Sequence, residues 1–249
     1  MDDQVKYYLE IADNAFILSH RLSENSSKGP FLEEDLACTN VALDLIGLAE
    51  SIYNEAARIE NKGKSGDDLA YRRAENEYYN ALLLEQPNKD FAFIMVRQFF
   101  ADTFNYYLLT EFASSTDTFL QEVATKSLKE VTYHIRRSSE WMLRFGNGTE
   151  TSKKKAQNAI DSLWRYTDEL FEPSEADLNL RDRNISIDLE VVKSNWNQKV
   201  NEILYLSHLS KPENQFQLKG GKTGVHSEHM GFLLAEMQFL TNKYPEAKW

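Results

Sequence analysis

Four long segments of this chain repeat apolar residues every three or four positions, with helix-breaking residues between them. A stripe of that period lies along one face of an α-helix, so the segments predict helices that bury those faces against one another. In the first, residues 2–25, Ile11, Ala15, Leu18 and Leu22 keep the spacing, and Gly29-Pro30 lies just beyond its end. The second runs from about Glu33 to Asn61. It opens on Glu33-Glu34-Asp35, which complements a helix N-terminus, and carries Val41, Leu45, Leu48 and Ile52. The third, about 90–114, aligns Met95, Phe99, Asp102, Tyr106 and Leu109. The fourth follows a turn at Ser115–Asp117 and aligns Ala124, Val131, His134, Trp141 and Phe145. Gly146-Asn147-Gly148 then stops it. A further helix is expected over 67–85, broken by Gln86-Pro87-Asn88, and accessory helices over about 151–171, 188–208 and 226–243.

Short connections between long helices favour antiparallel neighbours around one core. The expected class is therefore all-α: a ferritin-like antiparallel four-helix bundle with accessory helices, a single domain over 1–249. A chain of 249 residues buries a sizeable core. Its formal charge of −11 is spread along the chain, which disfavours non-specific nucleic-acid binding. The single cysteine, Cys38, forms no internal disulfide, reads as a small buried residue and fits a reducing cytoplasm. The start, MDDQVKYYLEIADN, lacks a signal-peptide core, and no uninterrupted apolar run approaches the roughly 18–20 residues of a membrane span. The expectation is a cytoplasmic protein without a membrane or nucleic-acid partner.

Ferritin-like bundles commonly carry a di-iron site built from Glu-x-x-His on two helices and a carboxylate on each of the other two. This chain contains no Glu-x-x-His: three residues before His20, His134, His208, His226 and His229 stand Ile17, Val131, Tyr205, Thr223 and His226. Asp102 and His134 interrupt apolar stripes, so both are expected to be buried and to meet across the core. They read either as two metal ligands or as a polar pair satisfying itself, and two ligands fall well short of a di-iron set. Glu130 stands four residues before His134 on the same helix side, a common spacing of weak meaning. Asp44, beside the second stripe, reads either as facing a core edge or as solvated, the second being preferred. His226-Ser227-Glu228-His229 has the composition of a ligand cluster, but the preferred reading is the first turn of the last helix. The loop LKGGKTG, 218–224, lacks the glycine spacing of a phosphate loop.

Several segments together carry a resemblance: DNAFILSHRLSE (13–24), KGPFLEEDLACTNVALDLIGLAE (28–50), LLLEQPNKDFA (82–92), RFGNGT (144–149), LWRYTDELF (163–171) and GGKTGVHSEHMGFLLAEMQFL (220–240). The chain resembles the C-subunit (PaaC) family of bacterial phenylacetyl-CoA epoxidase, a multicomponent monooxygenase, from about residue 5 to Trp249. The resemblance implies a structural subunit without catalytic residues, cofactor or metal of its own. Its partner would be a related A subunit that holds the di-iron centre, as a heterodimer and in higher assemblies with the other epoxidase subunits. A reductase subunit with flavin and iron–sulfur groups would pass electrons from NADPH, and oxygen would epoxidise the ring of phenylacetyl-CoA. Against the catalytic sister's pattern, one Glu-x-x-His corresponds to Leu45 and Leu48, the other to Val131 and His134, and an acidic ligand to Asp102. The ligand of the first helix has no secure equivalent, with Glu24 near the right region. These positions are expected to be remnants of a lost site. The alternative is an independent metalloenzyme with an atypical site. Because CoA is strongly anionic, Lys219 and Lys222, flanking the glycine pair of LKGGKTG, are the candidates to touch its phosphates.

Overall fold

In the computed structural model, which describes residues 2–213 and 215–247, those residues form helices and loops with no strand. Met1, Asn214, Lys248 and Trp249, the last two ending the span of the resemblance, lie outside the described residues. The four long helices are α1 (Asp3–Ser23), α2 (Leu32–Glu60), α4 (Phe91–Phe112) and α5 (Thr118–Gly146), separated by the short α3 (Gly66–Tyr71). Then come α6 (Glu150–Leu163), α7 (Glu175–Arg181), α8 (Leu189–Leu206), α9 (Glu228–Met237) and α10 (Phe239–Lys243), with 3₁₀ turns between several of them.

Helix ends follow local chemistry. Asp2, Asp90, Asp117, Thr149 and Asp188 accept the first free amides of α1, α4, α5, α6 and α8. Asp117 also accepts from Tyr8 Oη at 2.6 Å and Gln4 Nε2 at 2.8 Å, which ties the start of α5 to the start of α1. The α5 stop at Gly146 has a tertiary reason as well. A Cβ there would stand 1.8 Å from the Ser207 carbonyl oxygen, so the close approach of the α8 end admits only glycine.

Helix α1 pairs most extensively with α2, and α4 with α5. The pairs are antiparallel: Asp13 and Phe16 meet Tyr53, and Phe91 at the start of α4 packs on Trp141 and Phe145 at the end of α5. Across the bundle, Glu34 meets Arg137 and Asp44 meets His134, so α2 and α5 are antiparallel too. This is the ferritin-like four-helix bundle that the periodicity predicts. The accessory helices α6 and α8 cover α4, and α7 covers α1, so α1 and α4 are buried on nearly every side. Helix α2 is long and apolar enough to cross a membrane by length and composition alone, with a mean hydropathy of 1.3 over its best window. Asp44 and Glu50 interrupt its apolar run. Val41, Leu45, Ile52 and Ala56 nonetheless place α2 in the core beside α1.

The helix expected over 67–85 is corrected by the structure. Only Gly66–Tyr71 is α-helical there, followed by a 3₁₀ turn at Glu75–Glu77 and then irregular chain. The reason is that distant side chains take the amides a helix would have used: Tyr79 N donates to Asp13 (2.7 Å), Ala81 N to Asn14 (2.9 Å) and Leu82 N to Glu169 (2.6 Å). Helix α7 arises between the accessory helices expected over 151–171 and 188–208, where Ser174 and Asp177 form a capping box. The last expected helix, 226–243, is divided at Gln238 into α9 and α10.

Candidate functional site

The positions expected to be remnants lie inside the bundle. Leu45, Leu48 and Val131 are buried among the core side chains, and Asp102 and His134 are buried with them. Three of these five positions thus hold hydrocarbon, which carries no cost of burying charge without an ion. Among the described residues no group of three or more His, Cys, Asp or Glu stands close enough together to hold a metal, so the residues present do not fit a di-iron set. Glu24, the candidate from α1, caps that helix and bonds Arg21 Nη1 at 2.8 Å and Asn88 Nδ2 at 3.2 Å instead of facing the core.

The hydrogen bond expected between Asp102 and His134 is replaced by two separate ones. Asp102 Oδ1 accepts from Gln98 Nε2 at 2.7 Å, one helical turn back on α4. Burial pushes the Asp102 carboxyl above its ordinary range, and nearby His134 and the Gln98 bond draw it partly back. His134 Nε2 instead meets Asp44 Oδ2 at 2.9 Å across to α2. Asp44, expected to be solvated, is half-buried at the rim and reaches inward. Sequence reasoning set it aside because it flanks the apolar stripe and is not within it. Glu130 makes no bond to His134; its carboxyl is raised by burial and by the charge of Asp44. Beside this pair, Arg137 Nη2 donates to Glu34 Oε2 at 2.5 Å and to buried Cys38 Sγ at 3.2 Å. His134 with Asp44, and Arg137 with Glu34 and Cys38, thus tie α5 to α2 by short polar links, whereas the Asp102–Gln98 bond stays within α4.

Because Asp44 is half exposed, His134→Ala should cost roughly 1–3 kcal/mol in urea unfolding, the usual penalty for stranding a polar partner. Asp44→Asn should cost less, and the double variant little more than His134→Ala alone. Additive losses would show that the two side chains act independently.

A second polar centre, missed in the sequence, joins α1 to the irregular chain. Asp13, Glu85 and Glu169 are buried and serve as acceptors for the backbone of 79–82 and 220–227. The signal was the pair Asp13-Asn14 inside an otherwise apolar helix. The loop LKGGKTG is built around this centre. Gly220 N donates to Glu169 Oε1 at 2.6 Å and Lys222 N to the same oxygen at 3.4 Å. A Cβ on Gly221 would stand 2.1 Å from the Asn80 carbonyl oxygen, so that glycine serves a backbone crossing. Lys219 Nζ meets Glu172 Oε1 at 2.8 Å, and Lys222 Nζ donates to the Glu172 carbonyl at 2.7 Å. The loop amides therefore hold the Glu169 carboxyl, and both lysines meet Glu172 at the surface. His226 Nδ1 bonds Glu85 Oε2 at 2.7 Å, its Nε2 bonds the Tyr78 carbonyl at 2.9 Å, and Ser227 precedes α9. The preferred reading, the first turn of a helix, holds for Glu228 and His229, which open α9, while His226 and Ser227 precede it.

A family model described as phenylacetic acid catabolic protein matches residues 1–249. The chain is 40% identical to the C subunit of the 1,2-phenylacetyl-CoA epoxidase of Escherichia coli (strain K12) over 249 residues, all of this chain and all of that protein.

Proposed function

The chain belongs to the phenylacetic acid catabolic protein family, and from that premise we propose that it is the non-catalytic, structural subunit of a cytoplasmic phenylacetyl-CoA epoxidase. In this reading a sister subunit of related fold holds the di-iron centre and epoxidises the ring, and this chain supports it. The observation that carries the reading is the filled core: Leu45, Leu48 and Val131 close the space where the sister's ligands would stand. The polar groups that remain, Asp102, His134, Asp44 and Gln98, are engaged with one another. Two exposed apolar ridges support a partner. One is Leu32, Leu36 and Leu43 along the outside of α2, and the other is Val225, Phe232 and Phe239 along the C-terminal segment.

The test is co-expression with the catalytic sister. The two chains should elute as one complex, whose interface should bury more than about 2,000 Å² in total. Iron and oxygenase activity should appear in the complex and be absent from this chain purified alone after iron-supplemented expression. Separate elution at micromolar concentration would refute the scaffold. Two irons in the isolated chain, with turnover, would make it a metalloenzyme in its own right.

A further inference from the structure

On the side of α2 away from His134, a cleft of about 230 Å³ opens between α1, α2 and α3. Its inner wall is aromatic. Phe16 stands edge-on to Tyr53, with ring centroids 5.5 Å apart at 84°, and to Tyr71, 5.1 Å apart at 81°. Phe16 and Tyr53 are buried, Tyr71 is half-buried, and Ile46 and Ala70 complete the apolar lining. The mouth is acidic. Glu50 and Asn54, one turn apart on α2, face Asp67 in the first turn of α3, and all three are exposed. Helix α3 is brought this close because Gly66 has no Cβ, which would stand 2.3 Å from Asn54 Oδ1.

The charge pattern at the cleft is unbalanced. Among the described residues neither Glu50 nor Asp67 has an ion-pair partner, and no lysine or arginine lines the cleft. Arg58 is committed to Glu55, Arg72 to Asp68, and Arg73, which lies 5.6 Å from the Tyr53 ring centroid behind the wall, to Asp13. Behind the aromatic wall, His20 packs against Phe16 and Tyr71, and burial lowers its pKa to about 4, so it is neutral near pH 7. Aromatic rings beside unpaired carboxylates attract a cation through the ring quadrupole and through charge, most strongly where water is partly excluded. The volume is below the roughly 300–1,000 Å³ of sites for drug-sized molecules, so the ligand must be small.

We propose that this cleft is a binding site for a small organic cation. An alkylammonium or quaternary ammonium head would lie between Tyr71 and the carboxylates of Glu50 and Asp67, with a short apolar stem against Phe16, Ile46 and Ala70. The same chemistry is offered by a free amine and by a lysine side chain of a partner subunit. The site is independent of the lost metal positions and of the scaffold role.

Choline and its uncharged isostere dimethylbutanol, in which carbon replaces nitrogen, are titrated into the full-length chain at low salt, read by calorimetry and tyrosine fluorescence. Choline should bind saturably, and the isostere at least roughly ten-fold more weakly. Glu50→Gln/Asp67→Asn should weaken choline by a similar factor with an unchanged melting temperature, since both side chains are exposed. Tyr71→Leu should weaken it as well. Absence of saturable binding at millimolar choline, or equal binding of the isostere, would overturn the proposal. Repeating the titration on the complex with the catalytic sister identifies the source: retained binding marks a free amine, and lost binding marks a partner's cationic side chain in the cleft.

Discussion

Replacing Asp13 by alanine should cost roughly 3–5 kcal/mol and is the most damaging single change expected in this chain. Asp13 is fully buried on α1. It accepts from Tyr53 Oη at 2.6 Å, from Tyr79 N at 2.7 Å, from Arg73 Nη1 at 3.1 Å and from Arg73 Nη2. Arg73 is itself buried and stacks on the Tyr78 ring at 4.1 Å. Removal of the carboxylate therefore leaves a buried guanidinium with no counter-charge, and an amide and a phenol without an acceptor. Asp13→Asn keeps the shape and part of the bonding, so it should fall between alanine and the native chain. Asp13→Leu/Arg73→Met removes both charges and should be less damaging than the sum of the single changes. Urea unfolding with tryptophan fluorescence measures all of these. A loss below about 1 kcal/mol for Asp13→Ala would mean that water reaches Arg73 and that the ion pair does not hold the 73–82 segment.

His226→Ala should destabilise the chain by roughly 3 kcal/mol near pH 6 and progressively less as the pH rises. The geometry sets the charge state. Both ring nitrogens face acceptors, the Glu85 carboxylate and the Tyr78 carbonyl, so the bonding is complete only when both nitrogens carry protons. Burial opposes the charged ring, but the bond to Glu85 and the charge of that carboxylate outweigh it, and the pKa is raised. The folded state then holds its proton to higher pH than the unfolded chain, whose imidazole titrates near about 6.5. The stabilisation is full below that unfolded value and is lost as pH rises through the folded one. Unfolding free energy should decline over that window with a slope of at most about 1.4 kcal/mol per pH unit, and the His226→Gln variant should lose this component. Glu10 adds a slope of the same sign: burial raises its carboxyl to about 8, so it too holds a proton that the unfolded chain releases at lower pH. The His226 variants separate the two. An unaltered pH profile in His226→Gln would show that the ring is neutral in the folded chain.

The cost of losing this contact is more than local. Glu85 also accepts from Ser227 N at 2.6 Å and Asn80 Nδ2 at 3.0 Å, so one carboxylate joins the irregular 78–86 chain to the approach of α9. Without the imidazolium the C-terminal segment keeps its apolar anchors, Met230, Leu233 and Leu234, and loses its polar one.

The four bundle helices could be read in advance because the forces that start, stop and orient a helix act within a few residues. Asp90 and Asp117 cap their own helices, Gly146 ends α5, and the stripe carrying Val41, Leu45, Leu48 and Ile52 turns one face of α2 inward whatever lies opposite. The absence of Glu-x-x-His is likewise a matter of spacing along one helix, and it bounded the chemistry before any contact was known. What the pattern could not supply was the identity of partners far apart in the chain. His134 meets Asp44, 90 residues away, and not Asp102, because a stripe shows that a side chain points inward but not which neighbour it meets. The 78–86 segment has helix-compatible composition, yet Asp13, Asn14 and Glu169 take its amides from outside, and a buried amide that already has an acceptor does not need a helical turn. The glycines and lysines of LKGGKTG have the residue types of an anion site. Only the packed structure shows that the loop amides meet Glu169 and the lysines meet Glu172, because the loop closes over chain segments that come together only there.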